Sequence, residues 1–187
     1  MKKIVVFGST GAIGLCAVEA ALKKGFSVRA FVRDPAKLPE DLKSKVEVFE
    51  GNVLEPDSVQ DAVEGTEGVV IALGTRNNLA PTSDLSEGTK NIIEAMRAKN
   101  VKNVSACISA FLFYEADKVA PIFVDITADH KRMYTALKES PLNWVAVFPP
   151  HFTGRTISKI DLGTFLVDAL DEPKYYKAVI GICNVPK

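Results

Sequence analysis

Ile4-Val5-Val6-Phe7 is an apolar, β-branched run that stops at Gly8-Ser9-Thr10-Gly11-Ala12-Ile13-Gly14 and gives way at once to a helical pattern, Leu15 to Lys24. A strand, a glycine turn and a helix in that order constrain the chain more than any other stretch. Three glycines spaced Gly-x-x-Gly-x-x-Gly let the backbone turn tightly and come close to a ligand. The helix that follows aims its free N–H groups and positive dipole end at the same place, which suits an anionic diphosphate. The stricter Gly-x-Gly-x-x-Gly spacing is absent, and a glycine triplet alone is often only a tight turn. The strand before it and the helix after it supply the context that favours a nucleotide-binding turn.

Strand and helix patterns alternate along the rest of the chain. Strands are expected at 3–7, 27–32, 46–50, 68–73, 103–108, 143–148 and 178–183, with a short one at 156–158. Helices are expected at 12–24, 57–64, from 84 onward, 125–139 and 161–171, with a helical turn near 38–42. The first helix carries Ile13, Ala17, Ala20 and Ala21 on one stripe and closes at Gly25. Asp84 with Glu87 three residues on resembles a capping box. Residues 74–83 read as a loop and 109–124 as irregular and aromatic-rich. This order implies an α/β fold, a Rossmann-like doubly wound parallel sheet with helices on both faces. No linker or repeat divides it, so residues 1–187 are read as one NAD(P)-binding domain.

Charge adds little: Lys+Arg and Asp+Glu each number 23, which gives no reason to expect nucleic acid or a membrane surface as partner. Cys16, Cys107 and Cys183 lie far apart, with neither metal-ligand nor disulfide spacing, so no metal is expected and a reducing, cytoplasmic compartment is. The apolar run after Met1-Lys2-Lys3 is too short for a signal peptide.

In open parallel sheets the ligand lies beyond the carboxyl ends of the strands. Strand two ends in Arg33-Asp34, with Lys37 close by. An acid at this point usually holds the ribose 2′-OH of NAD, and a basic group accommodates the 2′-phosphate of NADP. Arg33 comes first, which favours NADPH; the bland alternative is a solvated Arg33–Asp34 pair. Asn52 follows strand three, either facing an adenine edge or serving only as a turn residue. Gly74 permits close backbone approach, and Arg76 either touches an anion or is simply exposed. Ser109 ends strand five, where a hydroxyl can orient nicotinamide or substrate. His151, after Pro149-Pro150, sits where the cleft is expected, and His130 either steadies the nicotinamide ribose or faces a helical surface. Cys107 reads as buried and inert. Two Tyr-x-x-x-Lys matches, Tyr114 with Lys118 and Tyr134 with Lys138, show how cheap that motif is; Tyr134 reads as packing or rim rather than catalytic.

Stretches such as Leu73-Gly74-Thr75-Arg76-Asn77, Ser109-Ala110-Phe111-Leu112, Asp129-His130 and Val145-Ala146-Val147-Phe148-Pro149-Pro150-His151 are far more specific than the glycine turn. Through them the chain resembles the NADPH-dependent flavin reductase or biliverdin-IXβ reductase family, atypical short-chain dehydrogenases, nearly end to end. The resemblance implies a monomer that binds NADPH and passes hydride to a small planar acceptor. FMN, FAD and riboflavin, as substrates rather than bound groups, biliverdin IXβ and quinone-like molecules are such acceptors. It implies that Gly8, Thr10, Gly11 and Ile13 line the diphosphate, Arg33 and Lys37 hold the 2′-phosphate, and Asn52 and Val53 meet adenine. It further implies that Leu73, Gly74 and Leu85 run along the dinucleotide, and that Cys107, His130, His151 and Phe152 surround the nicotinamide. Ser109 and His151 are the candidate catalytic residues. Asn52 stands where the family commonly has Asp, Lys37 where Arg is familiar, and the stretch from His151 to Arg155 is much shorter than the family's loop. A non-enzymatic NADP(H)-sensing or scaffold protein on the same fold is the alternative expectation.

Overall fold

The computed structural model describes residues 2–76, 78–150 and 156–184. Seven strands form one parallel sheet: β1 (Lys3–Phe7), β2 (Ser27–Val32), β3 (Glu47–Glu50), β4 (Gly68–Ile71), β5 (Asn103–Cys107), β6 (Asn143–Phe148) and β7 (Ala178–Gly181), in the spatial order β3-β2-β1-β4-β5-β6-β7. Helices α1 (Ala12–Lys23), α2 (Glu40–Lys43), α3 (Pro56–Val63), α4 (Asp84–Ala98), α5 (Val124–Glu139) and α6 (Lys159–Asp168) connect them. The order reverses at β1, whose neighbours are β2 and β4, and a ligand crevice is expected at such a switch point.

The central strands are apolar on both faces because both are covered. Alternation along β1 sends Val5 and Phe7 into the core beneath α3, α4 and α5, and Ile4 and Val6 into the core beneath α1, α2 and α6. Trp144, Ala146 and Phe148 of β6 join the first core, Val145 and Val147 the second. α1 ends in a Schellman motif: Gly25, at φ 80°, donates to Leu22 O, and Phe26 N–H donates to Ala21 O at 3.0 Å. α6 lies close on α1 because Gly163 has no side chain; a Cβ there would come within 2.7 Å of the Ala17 nitrogen.

Most expected boundaries hold to within two residues, and the differences have causes. β4 stops at Ile71 rather than at 73, since Ala72 and Leu73 already turn toward the strand ends. Residues 156–158 form no strand: Ser158 caps α6, its hydroxyl oxygen accepting from Asp161 N–H at 3.0 Å, so the helix starts at Lys159. The 109–124 segment is built from three 3₁₀ turns, Ala110–Phe113, Ala116–Lys118 and Pro121–Phe123. Asp84 and Glu87 do not form the capping box. Ser83 is the N-cap of α4 without a side-chain bond, and the Leu85 N–H is instead accepted by Asp129 of α5.

Arg29 of β2 is buried and closes the C-terminal end of α3: Nη1 donates to Ala62 O at 2.6 Å and Glu64 O at 2.8 Å, while Nε donates to Glu47 at 2.9 Å. Replacing Arg29 with Met strands those carbonyls and is expected to cost about 2–4 kcal/mol in urea unfolding. Hydrogen bonding from Lys3, and after it from Arg29, holds the Glu47 carboxyl below its ordinary range against the opposing effect of burial. Its contribution is therefore complete above the unfolded-chain value of about 4.3 and lost as pH falls through the lower folded value. Glu47→Gln is expected to flatten the acid limb of the stability curve.

Candidate cofactor-binding site

The strand ends around the β1–β4 switch point enclose a cleft of about 400 Å³. Its floor is the glycine turn. Gly8 adopts φ 84°, and a Cβ on it would fall 2.3 Å from Ala72 O; one on Gly14 would fall 2.1 Å from Gly8 O. Only glycine permits those backbone approaches. Gly11 donates to Gly8 O at 2.9 Å and is the N-cap of α1, with no side-chain cap bond. The first N–H groups of α1 thus keep their donors for whatever enters, and Gly8, Thr10, Gly11, Ala12 and Ile13 all line the space. Ser9, fully buried, anchors the turn from below: its hydroxyl reaches Phe31 O at 2.8 Å and Val6 O at 3.0 Å, one proton serving one carbonyl at a time.

The end of β2 sorts its charges. Arg33 lines the cleft and makes no hydrogen bond or ion pair among the described residues. Asp34 is committed elsewhere: Oδ1 accepts from Ala36 N–H at 3.0 Å and Oδ2 pairs with Lys37 at 3.3 Å. The Ala36 N–H first, then Lys37, holds the Asp34 carboxyl below its usual range. Beyond β3, Asn52 uses its Oδ1 to accept from Leu54 N–H at 3.1 Å, an Asx turn that leaves its amide donors at the cleft. The turn reading of Asn52 therefore holds. Val53, Leu73, Gly74 and Leu85 line the same space, and nothing lies within 4 Å of a Cβ placed on Gly74. Arg76, at φ 53°, reaches across to Thr10, donating to its Oγ1 at 2.9 Å. Cys107 lines the cleft from β5, its thiol pushed up to about 12 by desolvation, which keeps it protonated.

Three residues expected at the cleft do not line it. Lys37 is turned to Asp34. Ser109 is buried, and its hydroxyl oxygen caps the following 3₁₀ turn by accepting from Phe111 N–H at 3.3 Å. His130 is half-buried on α5 with Nδ1 2.9 Å from Ile126 O; a carbonyl can only accept, so this nitrogen carries the hydrogen. His151 and Phe152 lie outside the described residues. Tyr134 packs edge-on against Phe148, 5.5 Å between centroids, and against Trp144, consistent with a packing role. Thr75, beyond the end of β4, also lines the cleft, as do Asp84, read only as a helix start, and Thr82, which nothing in the loop pattern singled out.

Among the described residues no group of three or more His, Cys, Asp or Glu side chains is placed to hold a metal, and no helix is long and apolar enough to cross a membrane. The chain is similar to an oxidoreductase, GME11367, of Pestalotiopsis microspora, 32% identical over 102 residues that make up 51% of this chain and 39% of that protein. It thus spans well under half the length of that relative. A solved short-chain dehydrogenase/reductase of Veillonella parvula in complex with NADP superposes with a TM-score of 0.77 at 18% identity, over 99% of this chain and 95% of that one. The anaerobillin reductase ChuY of Escherichia coli O157:H7 superposes with a TM-score of 0.80 at 15% identity, over 96% of each chain. At such identities these likenesses speak to the Rossmann-like fold. Residues 8–164 match the NAD(P)H-binding family model, a span that opens at the first glycine of the turn and takes in every strand from β2 to β6. The chain belongs to the NAD(P)H-binding family.

Proposed function

We propose that this protein is an NADPH-dependent reductase acting on flavins, FMN, FAD or riboflavin, as freely exchanging substrates. Linear tetrapyrroles of the biliverdin IXβ type and quinone-like molecules are further acceptors of the same planar class. The observation that carries the reading is the charge arrangement after β2. Arg33 lines the cleft without a partner among the described residues, while the neighbouring acid is bonded to Ala36 and Lys37. A 2′-phosphate needs such a cation, and a guanidinium can bond it while stacking on adenine.

The residues fit a dinucleotide. The Gly8–Gly11 turn and uncapped start of α1 offer N–H donors to a diphosphate, Asn52 and Val53 offer an edge and a wall to adenine, and Arg76 is within reach of the turn. The nicotinamide, when bound, supplies the hydride. The acceptor half of the proposal rests on what the cleft offers a proton. Among its described lining residues there is no tyrosine–lysine pair, and the Cys107 thiol is too weak an acid to serve. Flavin reduction at N5 suits such a site, because water can complete the protonation. A protein of the same fold is named an anaerobillin reductase.

Purified protein mixed with NADPH and FMN, followed at the reduced-nicotinamide absorbance, is expected to turn over with strong preference over NADH. Tight NADPH binding with no turnover on flavin, biliverdin or quinone would replace the reductase by an NADP(H)-sensing protein. Arg33→Ala is expected to raise KM for NADPH by roughly 10- to 100-fold, the loss of about 1.5–3 kcal/mol carried by a charge-assisted hydrogen bond, and to leave KM for NADH unchanged. Equal losses with both cofactors would remove Arg33 from the 2′-phosphate.

A further inference from the structure

The far wall of the cleft is formed by Gly74, Thr75, Arg76, Asn78, Ala80 and Thr82, ahead of α4. It is held at one end by the Arg76–Thr10 bond. The other end runs into the first turn of α4, where Thr82 Oγ1 accepts the Asp84 N–H at 3.1 Å while the N-cap Ser83 makes no side-chain bond. Its orphan donor at Leu85 is met from another helix: Asp129 Oδ2 accepts the Leu85 N–H at 3.0 Å. Asp129 is fully buried, so its charge needs a partner, and Arg132 supplies one, Nη2 donating to Oδ1 at 3.0 Å. The same nitrogen donates to Thr82 O at 2.8 Å. One carboxylate and one guanidinium of α5 thus fasten the wall on both sides of the α4 start.

That fastening reaches the ligand space through contact. Leu85 lines the cleft. One turn on, Gly88 sits so near Val53 that a Cβ would come within 2.8 Å of its methyls, and Asn91 Nδ2 donates to Val53 O at 3.0 Å. The start of α4 and the loop after β3 therefore move together, and that loop flanks Arg33 in the cleft. The rest of α4 is secured independently by Ile92, Ile93 and Met96 in the core. Losing the clamp frees the wall before it loosens the helix.

We propose that Asp129 and Arg132 are positioning residues that set the width of the adenosine end of the dinucleotide site. The inference rests on the NADPH reading above. It makes α5 part of cofactor recognition although neither residue lines the cleft.

The test measures dissociation constants for NADPH and for 2′,5′-ADP, which carries only the adenosine end, together with the melting temperature. Wild type, Arg132→Ala, Arg132→Lys and Asp129→Asn are compared. Arg132→Ala leaves the fully buried Asp129 without its cation, so its melting temperature is expected to fall, and affinities are compared at a temperature where every variant is folded. At that temperature Arg132→Ala is expected to weaken both ligands by the same factor, roughly 3- to 10-fold, as coupled neighbours do. Arg132→Lys, which keeps one donor, falls between. Asp129→Asn, which cannot accept from both Leu85 and Arg132, follows Arg132→Ala. Unchanged affinities in Arg132→Ala and Asp129→Asn overturn the proposal, as does weakening of NADPH without weakening of 2′,5′-ADP. A wild-type protein that binds neither ligand overturns the NADPH reading and this inference with it, whereas tight wild-type binding with indifferent variants overturns this inference alone.

Discussion

Gly14 has no room for a methyl group, because the Gly8 carbonyl oxygen would lie 2.1 Å from it, and Gly8 has none because of Ala72 O at 2.3 Å. Strand β1, helix α1 and the end of β4 therefore meet backbone to backbone. The other parts of the site take their places from that meeting. It puts the start of α1 at the switch point of the sheet, lets Ser9 bond the penultimate residues of β1 and β2, and brings Thr10 within reach of Arg76. Gly8 and Gly14 serve the packing of the protein itself, and Gly8 and Gly11 line the ligand space.

Electrostatics then decides what kind of ligand the space suits. At the β2 end the acid Asp34 is already engaged, whereas among the described residues the cation Arg33 is not. Asp34 already accepts the Ala36 N–H through Oδ1 and pairs with Lys37 through Oδ2. Arg33 has no such obligation among the described residues. The contrast between adjacent residues of opposite charge, one spoken for and one available, says more about the cofactor than the neutral net charge of the whole chain.

The strands and their order were legible because both faces of the sheet are covered. β1, β2 and β6 announce themselves as apolar runs bracketed by glycine or proline. The cleft was legible from the rule that ligands gather at strand ends, which picked out Gly8, Arg33, Asn52 and Gly74. Side-chain direction was not. Ser109 sits at a strand end as expected, yet its hydroxyl turns to the Phe111 N–H, a matter of rotamer and local turn that residue type does not encode. Lys37 pairs with its neighbour Asp34 at 3.3 Å. The cap on Leu85 comes from 44 positions away, and no local pattern reveals a bond that exists only once α4 and α5 have packed. Asp84 and Glu87 have the spacing of a capping box, and the tertiary fold supplied a better acceptor.

The alternation of β1 between two cores makes the sheet a partition. Val5 and Phe7 report to one side, Ile4 and Val6 to the other, and no side chain belongs to both. A cavity opened near Ile92 finds no relief from rearrangement around Leu166, since hydrogen-bonded backbone stands between them. The two halves of the molecule are thus free to drift apart in their packing without consulting one another, except along a single margin. At the strand ends, α1 arrives from one side and α4 from the other, and the ligand space is where the two otherwise separate histories must agree.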